Sequence, residues 1–200
     1  MARRNQHTKE EIQHLAIQAV ETMLHQLHHE AISTRMVAKA IGYTVGTLYT
    51  VFKHQADMLL HVNARTMDRM YLHCQRGITD SNTPEHNLTL MALSYHQFAL
   101  QEPNHWNLVF SLRLPENEPI PQWQQANIDQ IFHLLENELT RLHPNMSQQT
   151  IQKNARILWS GVHGMTTLAL NNKLFIEGIT DIETLLSNLV HQLVFSWSGA

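Results

Sequence analysis

A single cysteine, Cys74, is all the thiol chemistry that 200 residues contain. That excludes a disulfide framework within the chain and a zinc site built from several thiolates. Long apolar runs are missing as well. None approaches the roughly 18 residues of a membrane span, and residues 1–20 show no apolar segment behind Arg3 and Arg4. No membrane partner and no signal peptide are therefore expected, and the cytoplasm is the expected compartment. Charged residues make up only 16% of the chain and the net charge is −3, which excludes a basic coat over nucleic acid. The charge is uneven, however: residues 1–60 carry six basic against five acidic side chains, and the rest carry eight against twelve. A slightly basic head on an acidic body fits contact with DNA by one end only.

Catalytic signatures are also lacking. Glu30 is followed by Ala31-Ile32-Ser33, so no His-Glu-x-x-His occurs, and neither a Gly-x-Ser-x-Gly nor a Walker pattern is present. Glu11-x-x-His14 and Glu102-x-x-His105 match the Glu-x-x-His element of di-iron bundles. The first sits in an opening helical turn with His14 off the apolar stripe, and the second spans Pro103 at a helix boundary. Neither can face inward from mid-helix, so no enzyme, no metal and no cofactor are expected.

What is present is helical periodicity. From Thr8 the apolar positions Ile12, Leu15, Ala16, Ala19, Val20, Met23, Leu24 and Leu27 recur at helical spacing, and Thr8 with Glu11 reads as a capping box. A second helix is expected from Ser33 to Gly42. A third, capped by Thr44, is expected to run to about Val51, and a long fourth from near Gln55 to Arg76, ending at Gly77. Polar loops and prolines then delimit helices at about 85–102, 104–112, 120–142, 147–173 and 181–197. No sustained period-two run occurs, so the fold class is all-α.

The segment from Ser33 to Phe52, S-T-R-M-V-A-K-A-I-G-Y-T-V-G-T-L-Y-T-V-F, has the form of a helix-turn-helix. Ala38 is small enough for two helices to approach, and Gly42 can take φ > 0 and leave the first helix sharply. Gly46 lets the first turn of the third helix lie close to another surface. Leu48 and Phe52 should face the core with Val37 and Ile41, which leaves Val45, Thr47, Tyr49 and Thr50 nearer the outside.

Residues 38–53, A-K-A-I-G-Y-T-V-G-T-L-Y-T-V-F-K, resemble the TetR/AcrR signature, together with T-K-E-E-I at 8–12 and D-M-L-L at 57–60. Further on, residues 91–111 and L-W-S-G-V-H-G at 158–164 resemble the regulatory domain subtype marked by W-x-x-x-H-G. The resemblance implies a three-helix DNA-binding domain at 1–54 and a helical ligand-binding and dimerisation domain at 55–200. It implies a homodimeric repressor that binds a palindromic operator in double-stranded DNA and is released by a small-molecule effector. The third helix would enter the major groove. Ser33 stands with the interface residues at the start of the second helix. Thr44, Thr47, Tyr49 and Lys53 would position phosphates or sugars, Val45, Gly46 and Thr50 would lie at base edges, and Arg3 and Arg4 would form an arm. Where the family commonly has a polar or basic residue, an aromatic and a lysine, this chain has Val45, Val51 and Gln55. That thins the phosphate contacts and leaves a second reading open, a helical adaptor that keeps the fold without binding an operator.

The last helix repeats Ile182, Leu185, Leu186, Leu189, Val190, Leu193, Val194 and Trp197, and the one before it carries Gly161 and Gly164 on a face with Ile157 and Leu168. By resemblance these helices pair with a second subunit, through Gly161, Gly164, Leu168, Leu185, Leu186, Leu189 and Leu193. The candidate ligand-pocket residues are Met70, Tyr95, Phe98, Trp106, Phe110, Trp123, Trp159 and His163, although an aromatic at helical spacing also fills an ordinary core. His25, His28 and His29 are spaced to share one helix face. That could hold a metal, but it equally suits a favourable interaction with the helix C-terminus or plain solvation, and these two readings are preferred to the metal. Cys74, beside His73, reads as an inert helix residue, with a redox switch as the alternative.

Overall fold

The computed structural model describes residues 7–174 and 181–197, and among these there are helices and no strand. In chain order the helices are α1 (Lys9–Leu24), α2 (Thr34–Ala40), α3 (Val45–Leu48), α4 (Gln55–Gln75), α5 (Pro84–Gln101), α6 (Pro103–Ser111), α7 (Gln122–Leu142), α8 (Gln148–Leu170) and α9 (Ile182–Trp197). No helix among the described residues is long and apolar enough to cross a membrane.

The chain forms two compact units. The first is Met1–Met67 with Glu102–Gln125, and the second is Asp68–Gln101 with Ala126–Ala200. The division therefore falls inside α4 and α7 rather than at residue 54, and α6 belongs with the first unit. The reason is packing: Leu108 of α6 is fully buried in one core cluster with Val20, Leu24, Val37, Leu48 and Phe52. Polar contacts reinforce it, since the Asn104 amide donates to the Leu24 carbonyl at 2.9 Å and Asn63 donates to the Leu108 carbonyl at 3.3 Å.

In the first unit α1 opens on the capping box. The Thr8 hydroxyl accepts from the Glu11 amide at 3.2 Å, and the Glu11 carboxylate accepts from the Thr8 amide at 2.6 Å. Its buried face is Ile12, Ala16, Ile17, Val20 and Leu24. The helix stops one turn before Leu27, and a 3-10 turn at His29–Ala31 leads to buried Ile32. Periodicity alone does not show this early stop. Leu27 still packs against the core from a turn rather than from a helix.

In the second unit α5 packs on α8 and α9, and α8 packs on α9. Leu88, Ile151, Leu158, Leu186 and Val190 are buried at the centre. Gly161 is where α8 and α9 come close: a Cβ there would lie 2.8 Å from Leu189 Cδ2, within the same chain.

His29 and His96 are buried, and His61 and His163 half-buried. Burial lowers the proton affinity of all four. The fold thus favours the neutral imidazole, whereas the unfolded chain takes up protons near pH 6.5. The stability these groups permit is fully present above about pH 6.5 and is lost as pH falls towards their lowered folded values. The melting temperature should therefore drop between pH 7 and pH 5. Thermal melts across that window measure it, and a flat profile would contradict the assignment.

Candidate functional site

The turn between α2 and α3 is built from its caps. Ser33 caps α2, its hydroxyl accepting from the Met36 amide at 3.3 Å. At the other end Gly42 has φ +75°, and the Tyr43 and Gly42 amides donate back to the Ala38 and Lys39 carbonyls at 2.9 and 3.2 Å. This is a Schellman closure, which needs the left-handed residue that glycine supplies most easily. Thr44 then caps α3, its hydroxyl accepting from the Thr47 amide at 3.2 Å. The Tyr43 hydroxyl lies 2.7 Å from His7 Nδ1, tying the segment before α1 to the turn.

α3 is shorter than its sequence suggests. After Leu48 the amides of Thr50 and Val51 donate to Thr47 and Leu48, a tighter i−3 pattern, and the Thr50 hydroxyl donates to the Thr47 carbonyl at 2.7 Å. β-Branched residues and hydroxyls that bond their own backbone are poor helix propagators. Leu48 and Phe52 are buried, as Val37 is, and Ile41 is partly buried against them. Of the four residues expected outside, Tyr49 and Thr50 are exposed and Thr47 is half-buried, and Thr44 and Gly46 are exposed as well. Val45 is partly buried against the core, so only part of its surface faces outward. Arg3 and Arg4 lie outside the described residues.

Lys53 has its amide on the Asp57 carboxylate at 2.8 Å and its ammonium 3.7 Å from Glu118. Glu118 also meets His54 Nε2 at 2.7 Å, and this hydrogen bond holds the Glu118 carboxyl below its usual range. Sequence reasoning missed Glu118 because it is 64 residues from His54. It also passed over Arg35 and Lys39, which stand exposed four residues apart on α2 with no ion pair among the described residues. Their spacing and the lack of acidic residues on α2 were the available signal. The Gln55 amide donates to the Ile32 carbonyl at 2.7 Å, so that side chain holds the entry to α2.

The second unit contains a small cavity of about 40 Å³, walled by Cys74 of α4, by α5, α7 and α8, and almost wholly apolar. Of the eight residues expected at a pocket, Tyr95 and Trp159 line it. The Tyr95 hydroxyl is 2.7 Å from His163 Nδ1, and Trp159 leans on the same imidazole at 5.3 Å. Met70 and Phe98 are buried in this unit without lining the cavity. Trp106, Phe110 and Trp123 belong instead to the first unit. There Trp106 packs on Phe110, and Trp123 stacks on His61 at 4.8 Å. Helical spacing marked burial correctly for Met70, Tyr95, Phe98 and Trp106, but it carries no information about which void a side chain borders.

On α8 and α9, Leu186 is fully buried in its own unit and has no area to give a partner, and Leu189 covers Gly161. Leu185 and Leu193 are half-buried. The apolar surface left open is at Ile157, Leu168 and Phe195, the last 73% exposed, and nothing lies within 4 Å of a Cβ built on Gly164.

Residues 88–193, more than half of the chain, match the tetracyclin repressor-like C-terminal domain. No protein with a curated description matches. Among solved structures the chain is similar to a protein of unknown function from Rhodococcus sp. RHA1, at TM-score 0.74 and 14% identity over 96% of this chain and 97% of that one. It is similar to a possible TetR family transcriptional regulator from Streptomyces coelicolor A3(2), at TM-score 0.67 and 12% identity over 94% and 98%. It is also similar to BioQ, solved with its natural double-stranded DNA operator, at TM-score 0.67 and 17% identity over 95% and 99%. At these identities the likeness is one of fold.

Cys74 in the cavity wall is 5% exposed, and burial pushes its thiol up to about 12. Reactivity belongs to the thiolate. At pH 8 an aromatic disulfide reagent should label the native protein about 1000-fold more slowly than the unfolded one, the ratio of thiolate fractions for this shift. Rapid labelling of the folded chain would show an open, low-pKa thiol.

Proposed function

Because the chain belongs to the TetR family of transcriptional regulators, we propose that it binds a palindromic DNA operator as a homodimer and is released by a small-molecule effector, acting as a repressor in the cytoplasm. In this reading residues 1–54 are the reading head and residues 55–200 the regulatory part, of the W-x-x-x-H-G subtype through Trp159, His163 and Gly164. The observation that carries it is the outward set at α3. Thr44, Gly46, Tyr49 and Thr50 are exposed on a helix whose Leu48 is buried, which is how a recognition helix is presented to the major groove. Exposed Arg35, Lys39 and Lys53 supply the positive charge that phosphates select. Ser33, Thr44, Thr47, Tyr49 and Lys53 are assigned to phosphate and sugar, and Val45, Gly46 and Thr50 to base edges. BioQ, of like fold, is solved on its operator.

The effector is proposed to be a small apolar molecule bound at the cavity beside Tyr95 and Trp159. At about 40 Å³ that void is far below the roughly 300–1,000 Å³ of a typical ligand pocket, so the surrounding helices must part to admit a ligand. The dimer is proposed to form on α8 and α9, where Ile157, Leu168 and Phe195 leave apolar area uncovered. A two-fold dimer suits two half-sites. One observation favours the adaptor reading instead: the Lys53 ammonium lies 3.7 Å from Glu118, a carboxylate with which a phosphate must compete.

Gly46→Ala tests α3 as the reading head. Its added methyl meets nothing closer than the Thr44 hydroxyl at 3.7 Å, and alanine gains up to about 1 kcal/mol of helix propensity over glycine. The variant should melt at or above the wild-type temperature yet bind the operator more weakly, because a Cβ now stands where α3 approaches the bases. Anisotropy titrations on a footprinted site, with melts alongside, measure both. Unchanged binding would remove Gly46 from the base edges, and a wild type that footprints no site would favour the adaptor.

Leu168→Glu tests the dimer. Leu168 is 43% exposed, so the chain should keep its fold, while a carboxylate in an apolar interface should give monomers by light scattering. A wild-type protein that is itself a folded monomer at micromolar concentration would refute the assembly.

A further inference from the structure

Histidine is the residue in excess, at 15 of 200, and neither α3 nor the cavity accounts for the group just before α2. There the chain reads His28-His29-Glu30. α1 has ended at Leu24, so His25, His28 and His29 do not share a helix face. Instead His28 is extended and His29–Ala31 form the 3-10 turn. That turn folds three consecutive side chains together: the donor atoms of His28, His29 and Glu30 lie within 4.8 Å of one another. His28 Nδ1 is 3.6 Å from Glu30 Oε2, and the two imidazoles are 4.4 Å apart and tilted by 44°.

His29 is the fixed member. It is 8% exposed, its Nε2 lies 3.4 Å from the Ser111 hydroxyl of α6, and its Nδ1 is buried with no hydrogen-bond partner. Buried polar atoms are nearly always partnered, and an idle one in an imidazole asks for a ligand. From the cluster and this idle nitrogen, the geometry points to a binding site for one divalent transition-metal ion of the zinc class, held by His28, His29 and Glu30 and completed by water.

Two imidazoles and a carboxylate are ligands that zinc accepts, and three protein ligands plus water is an open tetrahedral set. Bonds of about 2.0–2.1 Å place neighbouring tetrahedral ligands about 3.3 Å apart, close to the His28–Glu30 spacing. The remaining adjustment falls on His28 and Glu30, whose side chains are 45% and 81% exposed and free to rotate. The Ser111 contact orients the His29 ring, as outer partners of metal-bound histidines do. Magnesium and calcium prefer all-oxygen sites and should not compete. A bound ion would tie down the segment that enters α2 three residues before its Ser33 cap, and it would stabilise the folded chain by linkage.

The test is a calorimetric titration of the full chain with zinc chloride at neutral pH. Cobalt(II) absorption reports the geometry, and the comparisons are His28→Gln and Glu30→Gln, both exposed positions that leave the fold intact. Other histidines can take zinc loosely, so the readout is one tight equivalent. Wild type should show it, with tetrahedral cobalt bands and a raised melting temperature. Each variant should weaken it at least tenfold, and magnesium should produce no heat. A wild type without a tight equivalent, variants that bind as well as wild type, or equal binding of magnesium would overturn the site.

Discussion

A helix of four residues cannot persist alone in water, where about 12–15 are needed. α3 exists because Leu48 is drawn completely into a core it shares with α1, α2 and α6. Everything that α3 presents outward depends on that one burial. With Leu48 fixed inward, the helical repeat leaves Gly46 on the open side, and the capping residues Thr44 and Tyr49 and the following Thr50 are exposed beside it. The Schellman closure at Gly42 and the Thr44 cap set where the helix starts and so which residues those are. Orientation here comes from hydrophobic packing, and position comes from backbone hydrogen bonds.

The same economy explains why hydroxyls dominate the outward face. Thr44, Thr47 and Thr50 each bond to the backbone or to one another, so they make α3 rigid before any partner arrives. A rigid surface loses little entropy on binding. Long-range electrostatics near α3 is less generous. Lys53 leans on Glu118, and the unencumbered charge sits on α2 at Arg35 and Lys39. A phosphate approaching Lys53 must compete with the Glu118 carboxylate, which His54 also holds at 2.7 Å.

The two units solve burial differently. The first gathers short helices around one apolar cluster and needs α6 to complete it. The second stacks long helices, lets α8 and α9 touch at Gly161, and retains a small apolar void beside the Tyr95–His163 pair. Histidines serve as packing material in both: His61 stacks on Trp123, and His163 lies against Trp159.

The fold class, the order of the helices and nearly all their limits followed from the sequence alone, because caps, prolines and helical spacing are local properties written within a few residues. The outward character of Tyr49 and Thr50 was legible for the same reason, whereas Thr47 is half-buried and Val45 packs partly on the core. Tertiary structure alone decided the rest. It ended α1 at Leu24, put α6 with the first unit, moved Trp106, Phe110 and Trp123 away from the cavity, and brought Glu118 to Lys53. It also turned His28, His29 and Glu30 into a cluster. Each of these depends on which surfaces meet when distant segments pack. Periodicity tells a residue to be buried, but only three-dimensional packing says against what.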